Sequence, residues 1–113
     1  SISVNPSKNR IYIELGRVVT GDGKAFYEEV QSQVGKLDKG FSCISDISSF
    51  SIDDPEEAVW SQKAIALLVE AGMARVVRVT GTETEFREFS EKQGYTVCLA
   101  ATLEKAEQIL DGV

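Results

Sequence analysis

The order of apolar and polar residues predicts strands and helices that alternate along most of the chain. Residues 10–15 alternate in polarity with a period of two, which is typical of a strand with one covered face. Residues 3–5 predict a short edge strand before it, and the turn formers at residues 6–9 would join the two strands as a hairpin. The chain is therefore predicted to open with two paired strands.

A helix and a central strand are predicted after this hairpin. The capping candidates at residues 20–23 predict the start of a helix that runs to about Lys36, with its apolar residues on one stripe. Residues 41–47 form a compact apolar run that includes small serines, which is typical of a strand covered on both faces. The helix would thus connect the opening hairpin to the middle of a sheet.

Residues 53–57, with the sequence DDPEE, predict the start of the second helix. Asp54 is expected to be the N-cap residue, which places Pro55 at the first helical position, where its missing N–H costs nothing. Glu57 lies three residues after the cap and comes close to completing a capping box. The helix is predicted to end at Gly72.

A third helix is predicted between two further strands. Residues 75–80 are a β-branched run that predicts a central strand. Residues 82–85 form a capping box, and Phe86 and Phe89 follow it at helical spacing. Gly94 is the expected end of this helix.

The last two predicted elements complete an α/β fold. Residues 95–100 predict the final strand, and Thr102 is expected to begin a closing helix. The predicted order is therefore ββαβαβαβα, with a mostly parallel mixed sheet and helices packed on it. No composition shift divides the chain, so residues 1–113 are predicted to form a single domain.

Charge and composition narrow the class of partner. The chain has 12 basic and 18 acidic residues, for a net charge of -6, whereas nucleic acids are bound by clustered Lys and Arg. No nucleic-acid partner is therefore expected.

No apolar run approaches the ~20 residues that span a bilayer and no signal-peptide pattern opens the chain, so a cytoplasmic protein without membrane insertion is predicted. Cys43 and Cys98 are predicted to be buried free thiols.

Four short segments carry a resemblance to a known family. They are residues 16–19 (GRVV), 45–50 (SDISSF), 70–79 (EAGMARVVRV) and 102–106 (TLEKA). With them the chain resembles the STAS domains typified by bacterial anti-sigma-factor antagonists, and is most similar to their SpoIIAA-like branch. The resemblance implies a single STAS-type regulatory domain without enzymatic activity or cofactor, which binds a kinase-like protein, another regulator or a small ligand.

One departure from the family concerns its phosphorylation switch. The family's switch site reads Asp-Ser-Ser-Gly, whereas residues 53–56 of this chain read DDPE and offer no hydroxyl at the acceptor position. Phosphorylation at that position is therefore not expected. Ser48, Ser49 and Ser51 could substitute, although loop serines are commonly turn formers. The acidic side chains of Asp53 and Asp54 either mimic a phosphorylated surface or cap the following helix.

A protein-binding surface is predicted, with a pocket for a small ligand as the alternative. The predicted protein-binding surface is the loop at residues 46–54, in which Phe50 and Ile52 either contact a partner or pack into the core. This surface comprises Asp46, Ser48, Ser49, Phe50, Ser51, Ile52, Asp53 and Asp54. The alternative is an apolar pocket of the STAS/Sec14 type for a lipid-like ligand. Its predicted lining residues are Phe26, Trp60, Phe86 and Phe89, which could equally be core.

Catalysis is not predicted. The chain has no histidine, and both cysteines fall inside predicted strands without an activating base. A receiver-type magnesium site would require an acidic pair after the first long strand, which is missing. Metal binding by Asp46, Asp53 and Asp54 is not specified by any spacing, so no metal is predicted. A homodimer through the edge strand at residues 3–5 stays open.

Overall fold

The computed structural model describes residues 1–82, 88–90 and 94–112. The strands in these residues are β1 (Ile2–Asn5), β2 (Arg10–Glu14), β3 (Arg17–Val18), β4 (Ser42–Asp46), β5 (Ser51–Ile52), β6 (Arg75–Val79), β7 (Glu88–Ser90) and β8 (Thr96–Ala100). The helices are α1 (Asp22–Val34), α2 (Ala58–Glu70), which follows a 3₁₀ turn (Pro55–Glu57), and α3 (Leu103–Asp111). The α/β class is therefore confirmed.

The strands form a mixed sheet of order β1-β2-β4-β6-β8-β7, and β3 pairs with β5 beside it. The four central strands β2, β4, β6 and β8 are parallel. The outer strands β1 and β7 are antiparallel to their neighbours, so the predicted opening hairpin is confirmed. Among the described residues, no helix is long and apolar enough to cross a membrane.

Helices cover both faces of the sheet, because successive strand residues point to opposite sides. One face packs against α1 and α2 and includes Ile11, Ile13, Cys43, Val76 and Val97. The other face packs against α3 and includes Ile44, Val77, Val79, Cys98 and Ala100. The prediction of two buried free cysteines is confirmed, and their thiols lie on opposite faces.

Capping side chains set the starts of two helices where the sequence predicted them. Asp54 accepts a hydrogen bond from the backbone N–H of Glu56 at 3.1 Å, ahead of the 3₁₀ turn. Thr102 accepts one from the N–H of Lys105 at 3.2 Å, at the start of α3. Gly72, with φ of +105°, follows the end of α2 in the left-handed region that favours glycine.

A charged cluster fastens α3 to the amino-terminal end of β2. The Arg10 side chain is only 4% exposed and donates to Glu107 at 2.6 Å and to Asp111 at 3.0 Å. The Tyr12 hydroxyl donates to the same Glu107 oxygen at 2.8 Å. Burial acts to raise the pKa of Glu107, but hydrogen bonds from Tyr12 and Arg10 outweigh it and lower that pKa. Hydrogen bonds from Arg10 and Lys8 lower the pKa of Asp111.

The predicted third helix is wrong at Glu88–Ser90, which is the edge strand β7 paired with β8. The physical reason is that cross-strand hydrogen bonding to β8 overrides a local helical pattern. The rest of that prediction, including Phe86, falls on residues 83–87 and 91–93, outside the described residues. The observed order of elements therefore departs from ββαβαβαβα at this point, as it also does at the short strands β3 and β5.

Candidate functional site

A cavity of about 320 Å³ lies between the sheet and the helices α1 and α2. Its floor is the sheet face that carries Cys43 and Val76, and it extends to the carboxyl ends of β2, β4 and β6. The described lining residues are Ile13, Leu15, Phe26, Cys43, Ser45, Ile47, Phe50, Ser61, Ala64, Ile65, Leu68, Met73, Val76, Arg78 and Tyr95. The lining is therefore mostly apolar. Crevices at the carboxyl ends of parallel strands are common ligand sites in α/β sheets.

Arg78 is the one charged residue among the described residues that line the cavity. It lies on the same face of β6 as Val76, because the two are separated by one residue. Its register partner on β4 is Ser45, whose side chain also lines the cavity, and Ser61 adds a second hydroxyl from α2. Arg78 is half-buried and makes no hydrogen bond or ion pair within the described part of the chain.

The thiol of Cys43 lies in the floor of the cavity and stays protonated. Burial raises its pKa to about 12, although the positive charge of Arg78 acts to lower it. A neutral thiol is a weak nucleophile and cannot form an ion pair with Arg78. The positive charge of Arg78 is therefore not compensated by this neighbour.

The predicted protein-binding loop borders this cavity. Phe50 is 42% exposed, so it is not packed into the core, and it also lines the cavity. Ile52 lies in β5 and is half-buried. Asp46 accepts hydrogen bonds from the backbone N–H of Ser48 at 3.0 Å and from its hydroxyl at 2.6 Å, which shapes the turn. The exposed Phe50 marks one edge of the cavity mouth.

The remaining residues of that loop are held by neighbouring backbone and side chains. Ser51 donates its backbone N–H to the carbonyl of Gly16, and the side chain of Asp53 accepts from Arg17 Nε at 2.7 Å. Asp54 accepts from the hydroxyl of Thr20 at 2.8 Å in addition to its capping bond. Ser49, like Ser48 and Ser51, is exposed to solvent. The loop acids therefore have structural partners on the segment that precedes α1.

Glu57 has a role that differs from the predicted capping box. Its side chain is buried, and its Oε1 accepts from the backbone N–H of Gly21 at 2.6 Å and of Gly23 at 3.1 Å. A carboxylate at the N-terminus of a helix meets unpaired N–H groups and the positive end of the helix dipole. Glu57 therefore caps the start of α1 and not the start of α2. Its hydrogen bonds connect the two helices.

Two of the predicted pocket aromatics, Phe26 and Trp60, have described side chains, and they do not line the same cavity. Phe26 lines the cavity, whereas Trp60 lines a separate groove on the outer side of α2. The Trp60 ring lies 5.8 Å from that of Tyr27, and the ammonium of Lys63 lies 4.5 Å from its centroid. The Trp60 side chain packs against the first turn of α1, where a β-carbon on Gly23 would lie 2.8 Å from it. Phe86 and the side chain of Phe89 lie outside the described residues.

Arg78 was not predicted as a site residue, since in the sequence it is only one position of a β-branched strand and of the family-like segment at residues 70–79. The signal for it was a basic residue on the strand face that also carries Val76.

No cluster of three or more His, Cys, Asp or Glu side chains able to hold a metal occurs in the described residues. Comparison of the chain with family models, with curated proteins and with solved structures finds no match.

Proposed function

We propose that this chain is a non-enzymatic binding domain of the STAS type and that its ligand is a small, mainly apolar molecule held between the sheet and α1–α2. The observation that carries the proposal is the apolar cavity of about 320 Å³. Ligand pockets in proteins range over roughly 300–1,000 Å³ and combine apolar lining with a few polar groups. The cavity has this composition, with Arg78, Ser45 and Ser61 as its polar groups.

A binding role is supported over a catalytic one by the chemistry of the lining residues. Most are aliphatic or aromatic side chains that neither donate nor accept protons. The one thiol, Cys43, is held neutral by its pKa of about 12. The site thus offers apolar contact and one cation, which suit recognition of a ligand.

The STAS part of the proposal rests on sequence. Four short segments resemble the family, and apart from the two-residue strands β3 and β5 the order of elements follows the expected one as far as β6. The strand Glu88–Ser90 is a departure from the expected helix. The proposed function is that of a small apolar-ligand domain of the STAS/Sec14 type.

The test is a titration of the protein with 1-octanol, followed by amide chemical shifts. Wild-type protein should bind with saturable shifts at residues around the cavity. The variant Ala64→Phe places a large side chain at a lining position that is 1% exposed, and it should abolish these shifts. Ala58→Phe makes the same change at an exposed position of α2 outside the cavity lining, and should bind as wild type does.

The titration can also refute the proposal. Binding that survives Ala64→Phe, or that is lost equally in Ala58→Phe, would place the ligand elsewhere. Absence of any saturable shift in folded wild-type protein would remove the small-ligand function.

A second candidate function, favoured by the exposure of Phe50, is binding of a regulatory protein or kinase-like partner through residues 46–54. Large apolar side chains that stand exposed at a loop tip are common anchors of protein interfaces. The acidic residues around Phe50 would select a partner with a basic surface. The structure leaves Ser48, Ser49 and Ser51 accessible for hydrogen bonds to such a partner.

This candidate is tested by affinity capture with wild-type protein and a variant in which Ser49, Phe50 and Ser51 are all replaced by Ala. A protein retained by the wild type and lost by the variant would support it. Retention that is unchanged by the triple substitution would show that the loop is not the binding surface. Ala58→Phe serves as a control for changes at an unrelated exposed position.

A further inference from the structure

We infer that the ligand of the cavity carries one carboxylate and that the guanidinium of Arg78 binds it. This inference rests on the proposed small-ligand function and specifies the chemical class of the ligand. It depends on three observations: where Arg78 lies, which charges surround it, and how large the cavity is.

The position of Arg78 brings a cation into apolar surroundings. It lies one residue before the end of β6, between Ser45 of β4 and Leu99 of β8 in the register of the parallel strands. Its side chain is half-buried and shares the cavity lining with Phe50 and Ile65, which are exposed at the mouth. The apolar body of a ligand could therefore lie against the sheet while its polar end meets Arg78.

Arg78 has no counter-ion in the described part of the chain. No described carboxylate lines the cavity, and the neutral thiol of Cys43 cannot supply one. Arg78 also borders a neighbouring groove that includes Gln62 and Glu70, but it forms no ion pair with Glu70. Partly buried charges are normally paired, so an anionic group on the ligand would complete this site.

The surroundings of two other arginines, Arg10 and Arg17, differ from those of Arg78. Arg10 lies near the opposite end of the sheet, where Glu107 and Asp111 both accept from its guanidinium. Arg17, although exposed, is paired with Asp53. The protein carries a net charge of -6, so acidic side chains are abundant, yet none is placed against Arg78 in the described residues.

The chemistry of the guanidinium selects the kind of anion. Its planar donors match the two oxygens of a carboxylate in a two-point contact. One water molecule occupies about 30 Å³ in the liquid, so a cavity of about 320 Å³ has room for a ligand of about ten non-hydrogen atoms. A medium-chain carboxylate has this size, whereas a two-chain phospholipid does not.

The experiment compares octanoate with 1-octanol, which share the apolar chain but differ in charge, by calorimetric titration at neutral pH. Wild-type protein should bind octanoate at least about tenfold more tightly than 1-octanol, since hydrogen bonds to charged groups are stronger than those between neutral groups. Arg78→Gln should lose this preference and keep its affinity for octanol within about twofold. Lys63→Gln removes a positive charge in the outer groove and should retain the preference.

Two further arms make the result specific. Octyl phosphate tests whether the anion is a phosphate, and binding about tenfold tighter than that of octanoate would overturn the carboxylate assignment. Arg78→Lys retains the charge without the planar donors, so it should keep a smaller preference for octanoate than wild type. A preference equal to that of wild type would contradict the two-point contact, and this variant also covers the case in which Arg78→Gln does not fold.

The failure of the inference can be told from the failure of the proposed function. If octanol binds wild type and is blocked by Ala64→Phe, but octanoate is not preferred, only the carboxylate inference is wrong. A preference that persists in folded Arg78→Gln also overturns it. If wild type binds neither compound, both the function and the inference are wrong.

Discussion

Ser45 and Arg78 are register partners on the adjacent parallel strands β4 and β6, and the side chains of both line the same apolar cavity. Adjacent strands lie about 4.8 Å apart, so a polar group introduced at position 45 falls within reach of the guanidinium. This pairing offers a way to supply Arg78 with a counter-ion from the protein itself.

The variant Ser45→Asp should therefore compete with an acidic ligand. Its carboxylate would form an ion pair with Arg78, and octanoate should bind about tenfold more weakly than it does to Ser45→Asn, which has nearly the same shape but no charge. Calorimetric titration of the two variants measures the difference. Equal octanoate affinities in Ser45→Asp and Ser45→Asn would show that Arg78 does not bind the carboxylate.

Glu57 should contribute strongly to stability because it accepts two backbone N–H groups at the start of α1. Glu57→Ala leaves both donors without this partner, and we expect a loss of about 1–3 kcal/mol in the free energy of unfolding, measured by urea denaturation. Glu56→Ala changes the neighbouring exposed carboxylate and should cost about 0.5 kcal/mol or less. Similar losses in the two variants would contradict the role assigned to Glu57.

The cluster around Arg10 should make stability depend on pH in the acid range. The pKa values of Glu107 and Asp111 are lowered in the folded state, so their stabilisation is present above their ordinary values of 4.5 and 3.8 and is lost as the pH falls through the lower folded values. Glu107→Gln should therefore be less stable than wild type at about pH 6, and the difference should shrink towards about pH 3.

Urea denaturation of both proteins across this range measures that difference. Glu29→Gln, which changes an exposed carboxylate on α1, serves as the control and should show little difference from wild type at any pH. If the difference in stability between Glu107→Gln and wild type stays constant as the pH falls, the cluster around Arg10 is not the cause of the pH dependence.

Cys43 should make the folded state less stable in alkaline solution. Its pKa is raised from 9.0 to about 12 by burial, so the unfolded chain loses the thiol proton at a lower pH than the folded protein does. Above about pH 9, wild type should lose stability relative to Cys43→Val by up to about 1.4 kcal/mol per pH unit. Denaturant titrations at several alkaline pH values test this, and a parallel decline of the two proteins would contradict the prediction.

Much of the fold is predictable because its signals are local. The alternation in β2, the capping residues Asp54 and Thr102, and the β-branched run of β6 each specify an element within a few neighbouring residues. The strand Glu88–Ser90 is not predictable in this way, since it depends on pairing with β8, while the capping box before it and the spacing of Phe86 and Phe89 favour a helix. Local pattern carries no information on that partner.

The candidate site was only partly predictable for a similar reason. Phe26 was predicted as a possible lining residue and Phe50 as either a partner contact or a core residue, but nothing in the sequence shows that they border the same cavity. Trp60 lines a different groove, and helical spacing alone does not say which side of α2 meets the sheet. Arg78 became visible only when the register put it beside Ser45 on the sheet face covered by α1 and α2.

The bond from Glu57 to the start of α1 has a consequence for the entropy of binding. The two hydrogen bonds that Glu57 accepts join α1 and α2 at their first turns. The Trp60 ring also packs against α1, so closely that a β-carbon on Gly23 would lie 2.8 Å from it. The two helices that cover the cavity are therefore ordered before a ligand arrives. Preorganised sites lose little conformational freedom on binding, so even a ligand with few polar contacts can be held with useful affinity.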